Sequence, residues 1–269
     1  MPGARKSFIL AAGLLSFAAS PVFSVGPFVD ASRVSAFVGA PLGRGLAGSI
    51  TRADSQGQGA SFFVLAAPIR VRSAFLIQPE ISYITLALDD DVEDGFGDVV
   101  LRAKARAWTG HRKTLSIVSS LRLGSGSATL FPYSTASTDV EAGMAFVDSI
   151  GATGGGDGLQ PLRSLSYWVT ASGLYVIRLD DRLDEAGLHG SYTTAGGGVL
   201  VALSPKVELE VGGLGLFFHS GAVREVYFST LTAALSPVTH LYVTVQGERG
   251  DWRERAVDAS ATLGLAVSY

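Results

Sequence analysis

A row of three cations at alternate positions is the feature of this sequence best suited to chemistry. Residues 95–108 read GFGDVVLRAKARAW, in which Arg102, Lys104 and Arg106 alternate with alanine. In a β-strand, successive side chains point to opposite faces, so one face would carry positive charge and the other hydrocarbon. Fixed cations of this kind bind anions, pair with carboxylates or set the electric field inside a pore.

The other reactive side chains predict neither a catalytic site nor a metal site. The four histidines, at positions 111, 189, 219 and 240, form no HxH or HxxxH pair, and the chain has no cysteine. It has no GxSxG motif, and it has no asparagine for a Ser-His-Asn site such as that of outer-membrane phospholipase. The acidic run 89–98 lacks the glycine and glutamate positions of an EF-hand loop. We therefore expect no enzyme, no cofactor and no bound metal.

Composition narrows the class of protein further. The 269 residues carry a net charge of −3 with 17% charged residues, so no basic surplus points to a nucleic-acid partner. No internal stretch reaches the ~20 apolar residues that a membrane-spanning helix needs. The beginning of the chain has the form of a secretory signal peptide: Arg5 and Lys6, an apolar segment at 8–19, and small residues up to Ser24. We assign residues 1–24 to that signal and 25–269 to an exported protein.

Hydrophobic residues recur with period two through most of the chain, which indicates β-strands. From Val257 to Tyr269 the odd positions are apolar or alanine, while serine, threonine and aspartate occupy most even positions. About twelve strands are predicted, an even number, as single-chain bacterial barrels require. They cover 34–40, 60–67, 72–86, 98–108, 113–124, 138–147, 163–177, 191–202, 206–218, 224–235, 239–248 and 256–268.

The predicted connections alternate in length, which is typical of outer-membrane barrels with tight turns at one end and longer loops at the other. Short turns are predicted at 68–70, 110–112, 204–205 and 236–238, and long polar loops at 41–59, 87–97, 125–137, 178–190 and 249–255. Residues 148–162 break this rule, and we interpret them as a glycine-rich linker. The apolar positions of 206–218 change parity at Gly212 and Gly213, which predicts a β-bulge.

Three features favour a membrane barrel over a soluble one. A twelve-strand barrel is too wide for an apolar lumen to be filled easily. Full charges occupy the polar positions of several strands, and the chain ends on an alternating strand closed by Tyr269. The sequence therefore predicts an all-β, transmembrane, antiparallel up-and-down barrel in the outer membrane of a Gram-negative bacterium. Its lumen would be lined by Glu80, Arg102, Lys104, Arg106, Arg122, Asp139 and Glu141.

Charges on neighbouring strands of this lumen should pair. Glu80 would lie beside the cation row, and Arg122 would face Asp139 and Glu141. Isolated charges in a low-dielectric wall are costly, and an arginine on the lipid face would cost roughly 2–4 kcal/mol at the midplane.

One segment resembles a known family. Residues 95–106, with Gly95, Gly97, Asp98, Lys104 and Arg106 at the matching positions, resemble the pattern Gly-x-Gly-Asp-x-x-apolar-x-x-Lys-aromatic-Arg. That pattern occurs in the outer-membrane transporter-like family named for the meta-pathway of phenol degradation. The resemblance implies a barrel that lets small, often aromatic or apolar, compounds cross the outer membrane. Alanine replaces the aromatic residue of the pattern at position 105. The glycines also suit a turn into the strand, and Asp98 can accept backbone hydrogen bonds there.

The resulting hypothesis is an outer-membrane channel for small, apolar or aromatic solutes. Its expected partners are membrane lipid, the solute, and the barrel-assembly machinery through the C-terminal strand ending at Tyr269. Two alternatives stay open at this point: a non-conducting structural or adhesion barrel, and a soluble periplasmic barrel that binds an apolar ligand.

Overall fold

The computed structural model describes residues 45–55, 58–88, 91–130, 134, 137–151, 164–178, 191–218, 221, 223–250 and 258–268. Fourteen strands lie within these ranges: β1 Gly45–Ser55, β2 Gln58–Ala66, β3 Ile69–Arg72, β4 Phe75–Leu88, β5 Asp91–Phe96, β6 Val99–Thr109, β7 Lys113–Leu123, β8 Thr138–Gly151, β9 Ser164–Arg178, β10 Tyr192–Ser204, β11 Val207–Phe218, β12 Val223–Ala234, β13 Thr239–Arg249 and β14 Ala259–Ser268. A single 3₁₀ turn covers Ala128–Leu130. Within the described part of the chain, no helix is long and apolar enough to cross a membrane.

The strands form a closed, antiparallel, twelve-stranded barrel. Apart from the interrupted strands described next, each strand pairs with its neighbours along the chain, and β1 pairs with β14 to close the sheet. Two of the twelve barrel strands are interrupted, and each consists of two consecutive segments. The segments β2 and β3 both pair with one edge of β4, and β5 and β6 both pair with its other edge. The predicted fold class is confirmed.

Each interruption has a local chemical cause. Pro68 cannot donate a backbone hydrogen bond, and beside it the Ala67 amide donates to the Pro79 carbonyl at 3.0 Å. At the second interruption, the Gly97 amide donates to the Ser82 carbonyl at 2.9 Å. A Cβ at Gly97 would lie 2.8 Å from Ile84 Cδ1, so the two strands approach this closely only because residue 97 is glycine.

Side chains alternate between lipid and lumen around the whole barrel. Large apolar residues point outward; Ile50 on β1 is 58% exposed and Met144 on β8 is 56% exposed. Hydroxyl side chains point inward; Thr51 is fully buried and bonds to Thr262 across the closing strand pair at 2.8 Å. An apolar exterior of this extent is incompatible with water, so the soluble periplasmic barrel is excluded.

Several predicted connections are wrong. The predicted first strand at 34–40 lies outside the described residues, and β1 instead occupies part of the predicted loop 41–59. Small residues and glycine fill much of β1, so its alternation carries little hydrophobic contrast. The predicted outer loop 87–97 contains β5, an acidic strand held by its pairing with β4. The predicted turn at 68–70 lies instead at residues 73–74. The predicted linker 148–162 begins within β8, and its remainder lies outside the described residues.

The predicted bulge at Gly212 and Gly213 is also wrong. Pairing between β10 and β11 runs without a shift through both glycines, with Val211 opposite Val199 and Leu214 opposite Gly196. Leu214, Leu216 and Phe218 therefore face the lumen, as do Glu208 and Glu210. The parity change marks a change from polar to apolar lining, and the backbone stays regular.

The two ends of the barrel differ. The turns at 73–74, 110–112, 205–206 and 235–238, together with the start of β1 and the end of β14, lie at one end, which we call the turn end. The described residues between β7 and β8, which are 124–130, 134 and 137, lie at the opposite end, which we call the loop end. The short turns predicted at 110–112, 204–205 and 236–238 therefore lie at the same end of the barrel.

Candidate functional site

Ion pairs cover the inner face of β4, β6, β7 and β8, which we call the charged wall. Arg102 Nε lies 2.8 Å from Glu80 Oε1, and Gln78 Nε2 donates to the same oxygen at 2.7 Å. The Glu80 side chain is only 2% exposed, so this carboxylate depends on its protein partners for solvation. The predicted pairing of Glu80 with the cation row is present, and Arg102 supplies the cation.

The second pair lies on the next two strands. Arg122 Nη1 lies 3.4 Å from Asp139 Oδ2, which also accepts a hydrogen bond from Ser137 Oγ at 3.1 Å. Glu141 is held by hydroxyl groups: Ser120 Oγ donates to Oε2 at 3.2 Å, and Ser172 Oγ donates to Oε1 at 2.5 Å. The Arg122–Asp139 pairing matches the prediction, and hydrogen bonds from serine hydroxyls stabilise the Glu141 carboxylate.

The remaining cations of the row lie nearer the turn end. Lys104 is 5% exposed and lies between Leu76 of β4 and Val118 of β7, its partners in the strand register. Arg106 is exposed, and its register partner Ser116 is buried inside the barrel. All seven residues predicted to line the lumen therefore lie on the inner face.

Aromatic residues on β9 to β12, the strands that follow β8 around the barrel, form a second surface, which we call the aromatic wall. Trp168 stacks on Phe228 with ring centroids 6.3 Å apart, and Tyr192 contacts Phe218 at 5.3 Å. The Arg224 guanidinium lies 5.9 Å from the centroid of the Phe218 ring. The buried cluster around these rings comprises Leu76, Val118, Ala145, Trp168, Leu174, Tyr192, Leu214, Leu216, Phe218, Val226 and Phe228.

Sequence reasoning missed this wall, although one signal for it was available. The indole Nε1 of Trp168 donates to Glu210 Oε1 at 2.6 Å, which places the ring on the same face as an inward carboxylate. Glycines provide the space: a Cβ at Gly198 would lie 2.8 Å from Trp168 Nε1, and one at Gly212 would lie 2.6 Å from Phe228 Cζ. The glycine run 196–198 therefore allows Trp168 to pack closely against β10.

At the loop end, part of the β7–β8 connection enters the lumen. Leu130 is 1% exposed and contacts a buried apolar cluster formed by Ala53, Ala60, Phe62, Val64, Ile84 and Leu86. The Gly126 amide donates to Asp98 Oδ1 at 3.1 Å, and the Val99 amide donates to Ser125 Oγ at 3.0 Å. The first half of the family-like motif therefore has a structural role, since it anchors this connection against the barrel wall.

Gly95 and Gly97 serve the same region. A Cβ at Gly95 would lie 3.4 Å from Leu130 Cδ1, and Gly97 forms the strand interruption beside Asp98. Gly95 lies within β5 and Gly97 in the interruption between β5 and β6, so neither forms the tight turn into the strand that was expected. The expectation that Asp98 accepts a backbone hydrogen bond is confirmed. Lys104 and Arg106, the other motif residues, lie on the charged wall.

The lumen formed by the described strands is densely filled with side chains. Inward side chains from opposite parts of the barrel are nearly all buried, among them Thr51, Glu80, Arg224 and Thr244. Within the described residues, no group of three or more histidine, aspartate or glutamate side chains could hold a metal ion. The interior therefore offers fixed charges and aromatic rings, the groups through which a lumen can contact a solute.

Comparison with known proteins shows the fold but no family. No family model and no curated protein matches the chain. The fold is similar to an outer membrane channel from Pseudomonas putida F1, with a TM-score of 0.58, 11% sequence identity, and 85% of this chain and 96% of that chain covered. It is also similar to a KdgM porin solved in complex with disordered oligogalacturonate, with a TM-score of 0.54, 11% identity, and coverage of 83% of this chain and 99% of that chain. A NanC porin aligns with a TM-score of 0.52, 8% identity, and coverage of 84% of this chain and 100% of that chain.

The barrel architecture and its exterior determine where the protein resides. A closed antiparallel barrel of twelve strands, with an apolar outer surface and the fold of outer-membrane porins, belongs in the outer membrane of a Gram-negative bacterium. The lipid of that membrane is the environment that its exposed isoleucine, valine and leucine side chains require.

Proposed function

We propose that the protein is an outer-membrane channel for small solutes that carry an apolar or aromatic group. The observation that supports this function is a lumen lined both by ionised side chains and by aromatic rings, the rings lying on β9 to β12. Membrane insertion requires an apolar exterior only, and a wholly polar interior would satisfy it equally well. Aromatic rings facing the lumen therefore call for another explanation, and contact with an apolar solute provides one.

The motif resemblance supports the same proposal, and membership of the family named for the meta-pathway of phenol degradation remains a prediction. Small solutes are favoured because the interior is densely packed: a narrow path admits a solute only where side chains can move aside. The proposal includes a role for Glu80, Arg122 and their partners in transport. It also includes assembly by the barrel-assembly machinery through the C-terminal strand, whose Tyr269 lies outside the described residues.

Liposome swelling tests the channel, with two sugars that do not cross the lipid bilayer without a channel. Phenyl glucoside is expected to enter wild-type proteoliposomes faster than methyl glucoside, although it is larger, because its ring can contact the aromatic wall. Phe228→Ala should remove that preference, since Phe228 stacks on Trp168 inside the barrel. Phe63→Ala is the matched control, because Phe63 is half exposed on the lipid face and should leave the preference unchanged.

The dense packing also fits a second function, a non-conducting structural or adhesion barrel. Ion pairs such as Arg102–Glu80 satisfy the lumen without any solute. If correctly folded wild-type protein, verified by its heat-modifiable migration on gels, admits neither sugar, the channel is rejected in favour of this alternative. If both sugars enter at rates set by size alone, a channel exists but the solute class is wrong.

A further inference from the structure

Three cations share one patch of wall at the turn end of the lumen. The strand register places Arg70 of β3 opposite Leu76 of β4, and Leu76 opposite Lys104 of β6. Arg106 follows on the same face of β6, opposite Ser116. Neighbouring strands lie about 4.8 Å apart and alternate residues about 6.8 Å apart along a strand, so the three side chains project into one region. We call Arg70, Lys104 and Arg106 the cation patch.

The outer two cations of this patch are not neutralised by nearby carboxylates. Arg70 and Arg106 are exposed, and neither forms an ion pair with any acidic side chain in the described part of the chain. Glu80, the acidic residue on the inner face of β4, has another cationic partner, since it pairs with Arg102 at 2.8 Å. The mouth therefore presents positive charge at this point, where it can attract an anion from solution.

The inner side of the patch borders apolar surface. Leu76 and Val118, the register partners that flank Lys104, belong to the same buried cluster as the rings of Trp168 and Phe228. A charge beside buried hydrocarbon interacts more strongly with a counter-ion than a charge in open water does. A ligand that matches both halves of this surface combines a negative group with an apolar body.

We propose that the cation patch and the adjoining apolar surface form a binding site for small amphipathic carboxylates. The carboxylate would lie among Arg70, Lys104 and Arg106, and the apolar body would lie against Leu76 and Val118. The binding of such anions requires no transport. That the channel also transports them rests on the proposed function.

Calorimetric titration of the full-length barrel in detergent, at pH 8 and low salt, tests the site. The two probes are benzoate and the neutral benzyl alcohol, which have similar size and the same ring. Arg70→Gln/Arg106→Gln is expected to weaken benzoate binding at least about tenfold, a change equivalent to about 1.4 kcal/mol. Lys206→Gln removes an exposed cation from the β10–β11 turn at the same end and should change the affinity by less than about twofold.

Folding and charge are controlled separately. Both arginines are exposed, so the double variant should keep the heat-modifiable migration of wild type, and Arg106→Lys should retain most of the binding because it retains the charge. Benzoate affinity that is equal in wild type and the double variant would overturn the site, as would benzyl alcohol binding as tightly as benzoate.

Swelling assays separate this proposal from the channel. Wild type that binds benzoate but admits no solute would remove the channel and leave the site in place. Wild type that admits phenyl glucoside but does not bind benzoate would remove the site and leave the channel.

Discussion

Replacing Glu80 with glutamine is expected to destabilise the barrel by about 3–5 kcal/mol, the usual cost of leaving one member of a buried ion pair without its partner. The pair is buried on both sides, with the Glu80 side chain 2% and the Arg102 side chain 16% exposed. Loss of the carboxylate also removes a negative charge from the wall that carries Lys104 and Arg106. Three cations would then repel one another along one strand, which adds to the cost.

The effect can be measured by urea unfolding in detergent micelles, followed by tryptophan fluorescence and gel migration. Glu80→Gln should lower the unfolding midpoint markedly. Glu80→Gln/Arg102→Met should recover most of the loss, because the double variant has neither charge to desolvate. The resulting double-mutant cycle should give a coupling free energy of about 2 kcal/mol or more.

Lys113→Gln is the matched control for an exposed pair. Lys113 Nζ lies 3.5 Å from Asp148 Oδ2, but its side chain is 53% exposed, so its loss should cost less than about 1 kcal/mol. The reasoning is refuted if Glu80→Gln is no more destabilising than Lys113→Gln, or if adding Arg102→Met makes Glu80→Gln worse.

Three further predictions concern other parts of the barrel. Ile117→Arg places a charge at a half-exposed position on the lipid face of β7 and should cost roughly 2–4 kcal/mol in the same unfolding assay, whereas Ile117→Leu should be almost neutral. Trp168→Phe removes the 2.6 Å hydrogen bond to Glu210 and should cost about 1–3 kcal/mol; an unchanged midpoint would mean that this bond contributes nothing. Leu130→Ala should loosen the loop-end connection, giving faster cleavage within 124–137 by proteinase K while the barrel midpoint stays the same, because undocking is local. Equal cleavage rates in variant and wild type would show that Leu130 does not hold the connection.

The sequence predicted the barrel and the charged wall because both depend on strict alternation. A period of two determines which residues share a face, and ionised groups identify the face that avoids lipid. Cross-strand pairing then follows from chain order, so the Arg122–Asp139 pair could be predicted without a structure.

The elements that the sequence did not predict lack this alternation of apolar and ionised residues. Strand β1 consists largely of small and polar residues with no clear alternation, and the acidic sequence of β5 resembles that of a solvated loop. The aromatic wall was missed because both faces of β11 become apolar beyond Gly213, so parity no longer identifies the inner face. Only the pairing with β10 shows that Leu214 and Phe218 face inward.

Most bonds named on the two walls join residues of the same wall, and this bears on how a packed barrel could conduct; the exception is the hydrogen bond from Ser172 on β9 to Glu141 on β8. Arg102–Glu80 and Arg122–Asp139 connect neighbouring strands of the charged wall, and Trp168–Glu210 lies within the aromatic wall. A solute that separates the two walls leaves these bonds in place. It exchanges dispersion contacts between the walls for its own contacts with the rings, and such contacts are individually weak. Breaking a buried ion pair would instead cost about 3–5 kcal/mol. Under the proposed function, passage between the walls would therefore cost less free energy than a route that breaks these ion pairs, and it would favour solutes with an apolar face.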